Sequence, residues 1–222
     1  MKIVVTPLQM RDIDNFMSET NKIPGSLLME NAAECVCREI ERLLLKKAGP
    51  VLILCGSGNN GGDGLALLRK LVMRGFMAKA LLLSSEEKLS GDARLNYEIA
   101  VSCDLDISKV NSEQELKKEF LLEYAVIVDG IFGTGLSREV SGLEKIAIQF
   151  ANASHAYRIA IDVPSGVDSL TGKILGCAFR ADITVAFQCL KRSLVLYPGR
   201  EYAGQVIVGK IGLTRGYPET LL

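Results

Sequence analysis

Residues 51–75 read VLILCGSGNNGGDGLALLRKLVMRG, and the order of residue types along this stretch decides the fold. Val51 to Cys55 are apolar at every position, so both faces of an extended segment need cover, as in a central parallel strand. GSGNNGGDG (56–64) supplies glycines and short polar side chains. GLALLRKLVMRG (64–75) returns to helical periodicity and closes on Gly75. Strand, glycine loop and helix in that order begin a β-α-β unit. Outward from it, AKALLL (78–83), AVIVD (125–129) and RIAID (158–162) read as further buried strands. A helix is expected from Pro24-Gly25-Ser26, with Ser26 as its cap and Leu28, Ala32, Val36, Ile40 and Leu43 on one stripe; Gly49-Pro50 ends it. Residues 90–103, 112–123 and 143–153 read as helices, with Ser112 and Glu115 forming a capping box. Beyond 163 the pattern predicts strands at DITVAF (182–187), SLVLY (193–197) and QVIVG (205–209), with no helix clearly between them. The expected fold is α/β: a three-layer α/β/α sandwich on a Rossmann-like, mostly parallel sheet, in one domain spanning 1–222.

The 222 residues hold 26 Lys+Arg and 26 Asp+Glu, a formal net charge of zero, so no global positive field draws in nucleic acid or anionic lipid. A single histidine, His155, excludes a multi-histidine metal site, and its place in ANASHAY reads as surface. The absence of Trp argues against stacking platforms for single strands. Six cysteines, at 35, 37, 55, 103, 177 and 189, form no C-x-x-C pair and are read as reduced, buried thiols. The chain opens without a long apolar run, so neither signal peptide nor membrane anchor is expected, and the location expected is cytoplasmic.

Three polar, glycine-containing segments each follow the C-terminal end of a strand: GSGNNGGDG, GIFGTG (130–135) and VPSG (163–166). In open α/β sheets ligands bind at that edge. GSGNNG matches G-x-G-x-x-G, yet no acidic residue closes the second strand at the distance a dinucleotide fold uses. Asp63 is expected inside the phosphate-binding turn, where a carboxylate repels an anion unless a cation or a helix-start role compensates. Asp129 and Asp162 each end a strand and are expected to reach one cleft. Asn60, Asp129 and Ser165 form an oxygen set with one carboxylate, better suited to a monovalent or loosely held hard cation than to zinc. Asp162 is then free for proton transfer. Lys191 reads as a solvated surface lysine, with phosphate contact the alternative. Glu30-Asn31 reads as capping or interhelical hydrogen bonding.

GNNGGDG (58–64), DGIFGTGL (129–136) and IDVPSGVD (161–168) together resemble the YjeF-type N-terminal domain, the NAD(P)H-hydrate epimerase family. LQMRDID (8–14), IPGSLLMENAA (23–33), ADITVAF (181–187) with Lys191, and PGREYAGQVIVGKIGL (198–213) fall in the family's order. The resemblance implies a Rossmann-like sandwich, commonly dimeric. It implies an isomerase of metabolite repair that interconverts the R and S epimers at C6 of hydrated NADH or NADPH. An ATP- or ADP-dependent dehydratase is the implied functional partner, with neither nucleic acid nor membrane involved. Carried over by motif, Asn59, Asn60, Gly61, Gly62 and Asp63 contact the nucleotide portion. Gly133, Thr134, Gly135, Leu136, Ser137, Arg138 and Glu139 form a second binding loop. Asp162 sits at the reacting ring, and Asn60, Asp129 and Ser165 hold a potassium ion. C6 carries both a hydroxyl and the ring nitrogen, so inversion needs loss and return of the hydroxyl, or ring opening and reclosure. Asp162 is the acid/base group for either route. Two other readings are a nicotinamide-dependent oxidoreductase, resting on GSGNNG, and a non-catalytic nucleotide-binding scaffold of the same fold. The intact Asp129, Asp162 and Ser165 favour the enzyme.

Overall fold

The computed structural model describes residues 3–45 and 48–212. Its N-terminal arm carries β1 (Val4–Val5) and α1 (Pro7–Asn15), which runs into a π-helical stretch, Phe16–Thr20. α2 (Gly25–Leu44), β2 (Val51–Cys55) and α3 (Asn59–Met73) follow. Then come β3 (Ala78–Leu82), α4 (Gly91–Ser102), β4 (Ile107–Lys109), α5 (Glu113–Glu119) and β5 (Val126–Gly130). α6 (Gly142–Ala153), β6 (Tyr157–Ile161), β7 (Ile183–Phe187), β8 (Leu190–Lys191), α7 (Gly199–Ala203) and β9 (Gln205–Gly209) complete the order.

Seven strands form one sheet in the order β4-β3-β2-β5-β6-β7-β9, and every neighbouring pair is parallel. The chain builds from β2 through β3 to β4, returns to place β5 beside β2, then builds the other way. The strand order therefore reverses between β2 and β5. The period-2 alternation of the strands divides the core. Val51, Ile53 and Cys55 pack with Val36, Ile40, Leu67 and Leu71 of α2 and α3, whereas Leu52 and Leu54 pack with Leu116, Ala147 and Ile148 of α5 and α6. Helices thus cover both faces, as expected for a parallel sheet. No helix among the described residues is long and apolar enough to cross a membrane.

Several local expectations are corrected. SLVLY is not a strand: Arg192–Leu194 is a 3-10 turn, and α7 lies between β8 and β9. The apolar residues there serve a small local core, in which Leu194 joins Val163, Val167 and Ala203. Ser26 does not cap α2, which starts at Gly25 without a side-chain cap. Ser112 does cap α5, accepting from the Glu115 N–H at 3.3 Å, but the Glu115 carboxylate takes the N–H of Asn111 at 2.9 Å, one residue before the cap. α3 begins at Asn59, five residues earlier than its apolar stripe suggests, so NNGGDG is helical. Its glycines are packing devices: a Cβ on Gly61 would stand 2.0 Å from the Gly56 carbonyl oxygen, and one on Gly62 2.7 Å from the Met29 methyl. All six cysteines are free, with Cys37, Cys55 and Cys189 buried, Cys35 and Cys177 half-buried and Cys103 exposed. Burial pushes the Cys55 thiol up to about 12, which leaves it inert.

α1 and the arm before it go unread in the sequence. Thr6 and Gln9 close a capping box around Pro7, and Met10 and Ile13 turn the helix's apolar face inward. β1 pairs with β8 in parallel, Val5 opposite Lys191, and so ties this arm to the far end of the chain.

Candidate active site

A cleft of about 620 Å³ opens over the C-terminal ends of β2 and β5, where the strand order reverses. Ligands of doubly wound sheets bind at such a switch point. Asn59, Asn60 and Asp63 of α3 line one side and the segment Phe132–Arg138 after β5 another. Asp162, Phe187 and Lys191 lie at the strand ends, and Met10, Asp14, Asn15 and Ser18 of the N-terminal arm line the cleft further, as do Leu28 and Met29 of α2 and Asp92 of α4. Gly58 precedes α3 in extended backbone without a side-chain cap, and a Cβ there would meet nothing. The first-turn N–H groups of α3 are thereby left to a ligand.

Asp162 follows β6 with φ +65°, a left-handed conformation that an aspartate tolerates only at some cost. Its N–H donates to the Val185 carbonyl at 2.9 Å and its Oδ1 accepts from the Phe187 N–H at 3.2 Å. The same oxygen is ion-paired with Lys191 Nζ. Lys191 is 1% exposed, so the surface reading of this residue is overturned. Its backbone is held in β8, and its ammonium also donates to the Phe187 carbonyl at 2.7 Å.

Asp63 lies in the second turn of α3 rather than in a loop, and it is buried. Burial lifts its carboxyl well above the usual range; Asp162 adds to the lift, Lys191 opposes it and Asp14 adds a little more. A carboxyl whose charge is disfavoured in this way weakens the anion repulsion expected of it from the sequence. Asp14 is exposed, and its exposure is to the cleft. The enclosing walls raise its carboxyl to about 6, with Lys191 pulling it down and Asp162 pushing it up.

Asp129 does not reach the cleft as expected. It is fully buried beneath the site, where it ties together the segments after β5 and β6. Its Oδ1 accepts from the Ile131 N–H at 3.2 Å and from Ser165 Oγ at 2.5 Å, and its Oδ2 from the Ser165 N–H at 2.7 Å. Ser165 Oγ in turn accepts from the Phe132 N–H at 2.8 Å. Burial raises the Asp129 carboxyl to about 6 although the Ser165 and Ile131 hydrogen bonds favour its charge. Above this group Asn60 lines the cleft, its buried Nδ2 without a hydrogen-bond partner and its Oδ1 beside Gly133.

Of the residues carried over by motif, Asn59, Asn60, Asp63, Gly133, Thr134, Gly135, Leu136, Ser137, Arg138 and Asp162 line the cleft. Gly61 and Gly62 pack α3 against its neighbours, and Glu139 stands outside the lining residues. Arg138 is exposed and makes no ion pair among the described residues. His155 is exposed at the end of α6. Glu30 pairs with Arg69 and Lys70 of α3, the interhelical contact read for it, whereas Asn31 donates to the Ile211 carbonyl after β9 at 2.7 Å and neither caps nor bridges helices. Asp14, Asn15, Ser18 and Asp92 are among the cleft residues that sequence reasoning missed. The TPLQ capping box ahead of Met10, Ile13 and Met17 is the signal that places the first three on a helix.

Fold and site together define a doubly wound, Rossmann-like α/β protein with a ligand cleft at its switch point. Residues 25–193 match the profile described as YjeF-related protein N-terminus. The chain belongs to this family. It is 36% identical to the NAD(P)H-hydrate epimerase of Oenococcus oeni, over 95% of this chain and 97% of that one. It is 37% identical to the bifunctional NAD(P)H-hydrate repair enzyme Nnr of Thermofilum pendens and 38% identical to that of Moorella thermoacetica, over 95% of this chain in both comparisons. The chain spans only 39% and 40% of those two relatives. The crystal structure of yeast ynu0 has the same fold, with a TM-score of 0.78 over 98% of this chain and 91% of that one at 21% identity.

Proposed function

We propose that the protein is an NAD(P)H-hydrate epimerase, interconverting the R and S forms at C6 of hydrated NADH and NADPH. The observation that carries this reading is the Asp162–Lys191 pair, held by a left-handed backbone at the strand ends of a dinucleotide-sized cleft. It gains support from relatives named NAD(P)H-hydrate epimerase that this chain matches almost end to end. The α3 N-terminus and the Gly133–Arg138 segment receive the nucleotide portion. Amide N–H groups and Arg138 meet its phosphates locally, since the chain has no net charge to do so globally. Asp162, at the reacting ring, moves a proton to or from the C6 hydroxyl oxygen, and Lys191 orients it. The test is to mix the protein with R-enriched hydrated NADH and follow the epimer ratio by chromatography. A ratio that relaxes to equilibrium faster than the protein-free control is expected, and an unchanged rate overturns the reading.

Asn60, Asp129 and Ser165 fit a potassium ion. A buried carboxylate without a cationic side chain, a hydroxyl and a carboxamide make a hard, weakly charged donor set. Turning the Asn60 amide by half a turn would put its oxygen where the unpartnered Nδ2 now lies. When bound, the ion supplies fixed positive charge beneath the cleft. Ligand binding to the native state alone adds about 2.7 kcal/mol at a hundredfold excess over Kd. The melting temperature is therefore expected to be several degrees higher in potassium chloride than in equimolar tetramethylammonium chloride, and Asp129→Asn should abolish the difference. Equal melting in both salts counts against the site.

The same reading places the protein in the cytoplasm as a homodimer. Its functional partner is a nucleotide-dependent dehydratase that removes the water from one epimer.

A further inference from the structure

An epimeriser must handle a hydroxyl on either face of C6, and one carboxylate fixed at the strand ends can serve only one face. Asp14 lies on a different element from Asp162, in the last turn of α1, and lines the cleft beside Asn15 and Ser18. Its carboxylate makes no hydrogen bond and no ion pair among the described residues, and its neighbours Lys191 and Asp162 act on it only through their charge. Its position is nevertheless fixed. β1, just before α1, is zipped to β8 with Val5 opposite Lys191, so the arm that carries Asp14 is anchored to the strand that carries the partner of Asp162. Met10 and Ile13 lock the inner face of α1 into the core, and a π-helical stretch begins two residues after Asp14, a distortion that recurs at functional sites.

We propose that Asp14 is a second catalytic residue of the cleft, exchanging a proton with the hydroxyl on the face of the nicotinamide ring opposite the one that Asp162 serves. The inference rests on the epimerase reading and deepens it. In one direction the protonated Asp14 gives its proton to the departing hydroxyl. The C6–O bond breaks with its electron pair on oxygen, water leaves, and the N1 lone pair forms a C6=N1 double bond. Water then adds to C6 from the other face, returns that electron pair to N1, and loses its proton to the Asp162 carboxylate. The reverse reaction starts from the protonation states so reached, and a repeat in the same direction needs one proton to pass from Asp162 to Asp14 through solvent. The titratable groups near Asp14 are Lys191 of β8, Asp162 after β6, Asp63 of α3 and the Cys189 thiol just before β8. Burial within the cleft walls raises the Asp14 carboxyl to about 6 against the pull of Lys191, with Asp162 adding to the rise, which keeps a protonated fraction near neutral pH.

The test uses each epimer with isotopically labelled oxygen at its C6 hydroxyl, and follows epimerisation and label wash-out together. Asp14→Asn is expected to lower the epimerisation kcat about 100-fold or more, with KM within a few fold. Wash-out should persist for the epimer whose hydroxyl faces Asp162 and vanish for the other. Asp162→Asn should give the mirror pattern, and Asp14→Glu should recover part of the rate. Epimerisation by Asp14→Asn within about threefold of the unaltered protein overturns the proposal. So does loss of epimerisation with the two epimers alike in wash-out, the result of a merely structural role. If the unaltered protein does not relax the epimer ratio, the epimerase reading itself fails.

Discussion

Asp162→Asn is expected to lower epimerisation by roughly 10²- to 10⁴-fold in a protein that still folds and binds nucleotide, at a cost in stability because the buried Lys191 ammonium loses its counter-charge. The range is that of a single positioned acid/base group. Asparagine is isosteric, tolerates the left-handed φ of +65°, and can still accept the Phe187 N–H that holds the carboxyl in place. What it cannot do is shuttle a proton at oxygen. A variant with native circular dichroism, KM within a few fold and kcat down at least 100-fold fits this account. A variant that epimerises at the unaltered rate removes Asp162 from the chemistry.

Lys191→Met should be the most damaging replacement of a polar side chain in the site. Lys191 is the buried cation among the described residues, and Asp162, Asp63 and Asp14 all feel its charge. Methionine fills most of the volume but leaves Asp162 unpaired, a change that costs about 3–5 kcal/mol at a fully buried pair. Asp162 is partly open to the cleft, so the lower end of that range applies. The sign of the pH dependence follows from the raised carboxyls of Asp63 and Asp14. A carboxyl whose folded pKa lies above its unfolded value contributes stability in full below the unfolded value, and loses it as pH rises through the folded one. Without the ammonium, folded-state protonation is favoured further. The melting temperature of Lys191→Met should therefore climb more steeply than that of the unaltered protein as pH falls from about 8 to about 5. Adding Asp162→Asn to Lys191→Met should restore much of the lost stability at neutral pH, since the uncompensated charge is then gone. Parallel pH profiles for the two proteins would show that Lys191 does not hold this balance.

Lys191 also marks where sequence reasoning stops. A lysine after a strand is normally solvated, and nothing in LKRS says otherwise. Its burial depends on the pairing of Val5 with Lys191, between residues 186 positions apart, and on the approach of Asp162 from β6. Asp14 escapes notice for a related reason: α1 is nine residues long, and both of its acidic residues, Asp12 and Asp14, read as solvated until the arm folds across the cleft. From the sequence Asp63 reads as part of a phosphate-binding turn, since glycines surround it in GSGNNGGDG. Here Gly61 and Gly62 start a helix, since only a hydrogen at Cα fits against the Gly56 carbonyl and Met29.

The sequence by itself determined the strands β2, β3, β5, β6, β7 and β9, the layers and the edge at which the cleft forms. Apolar runs and helical stripes are local signals of burial, and glycine loops after strands can lie only at one edge of a parallel sheet. It also singled out Asn60, Asp129, Asp162 and Ser165. Only the tertiary structure decided what those residues do. Asp129 is a buried tie rather than a cleft wall, Asp162 has a lysine partner, and Asp14 lines the same cleft from another element, because charge balance in a cleft is set by side chains that meet from distant parts of the chain.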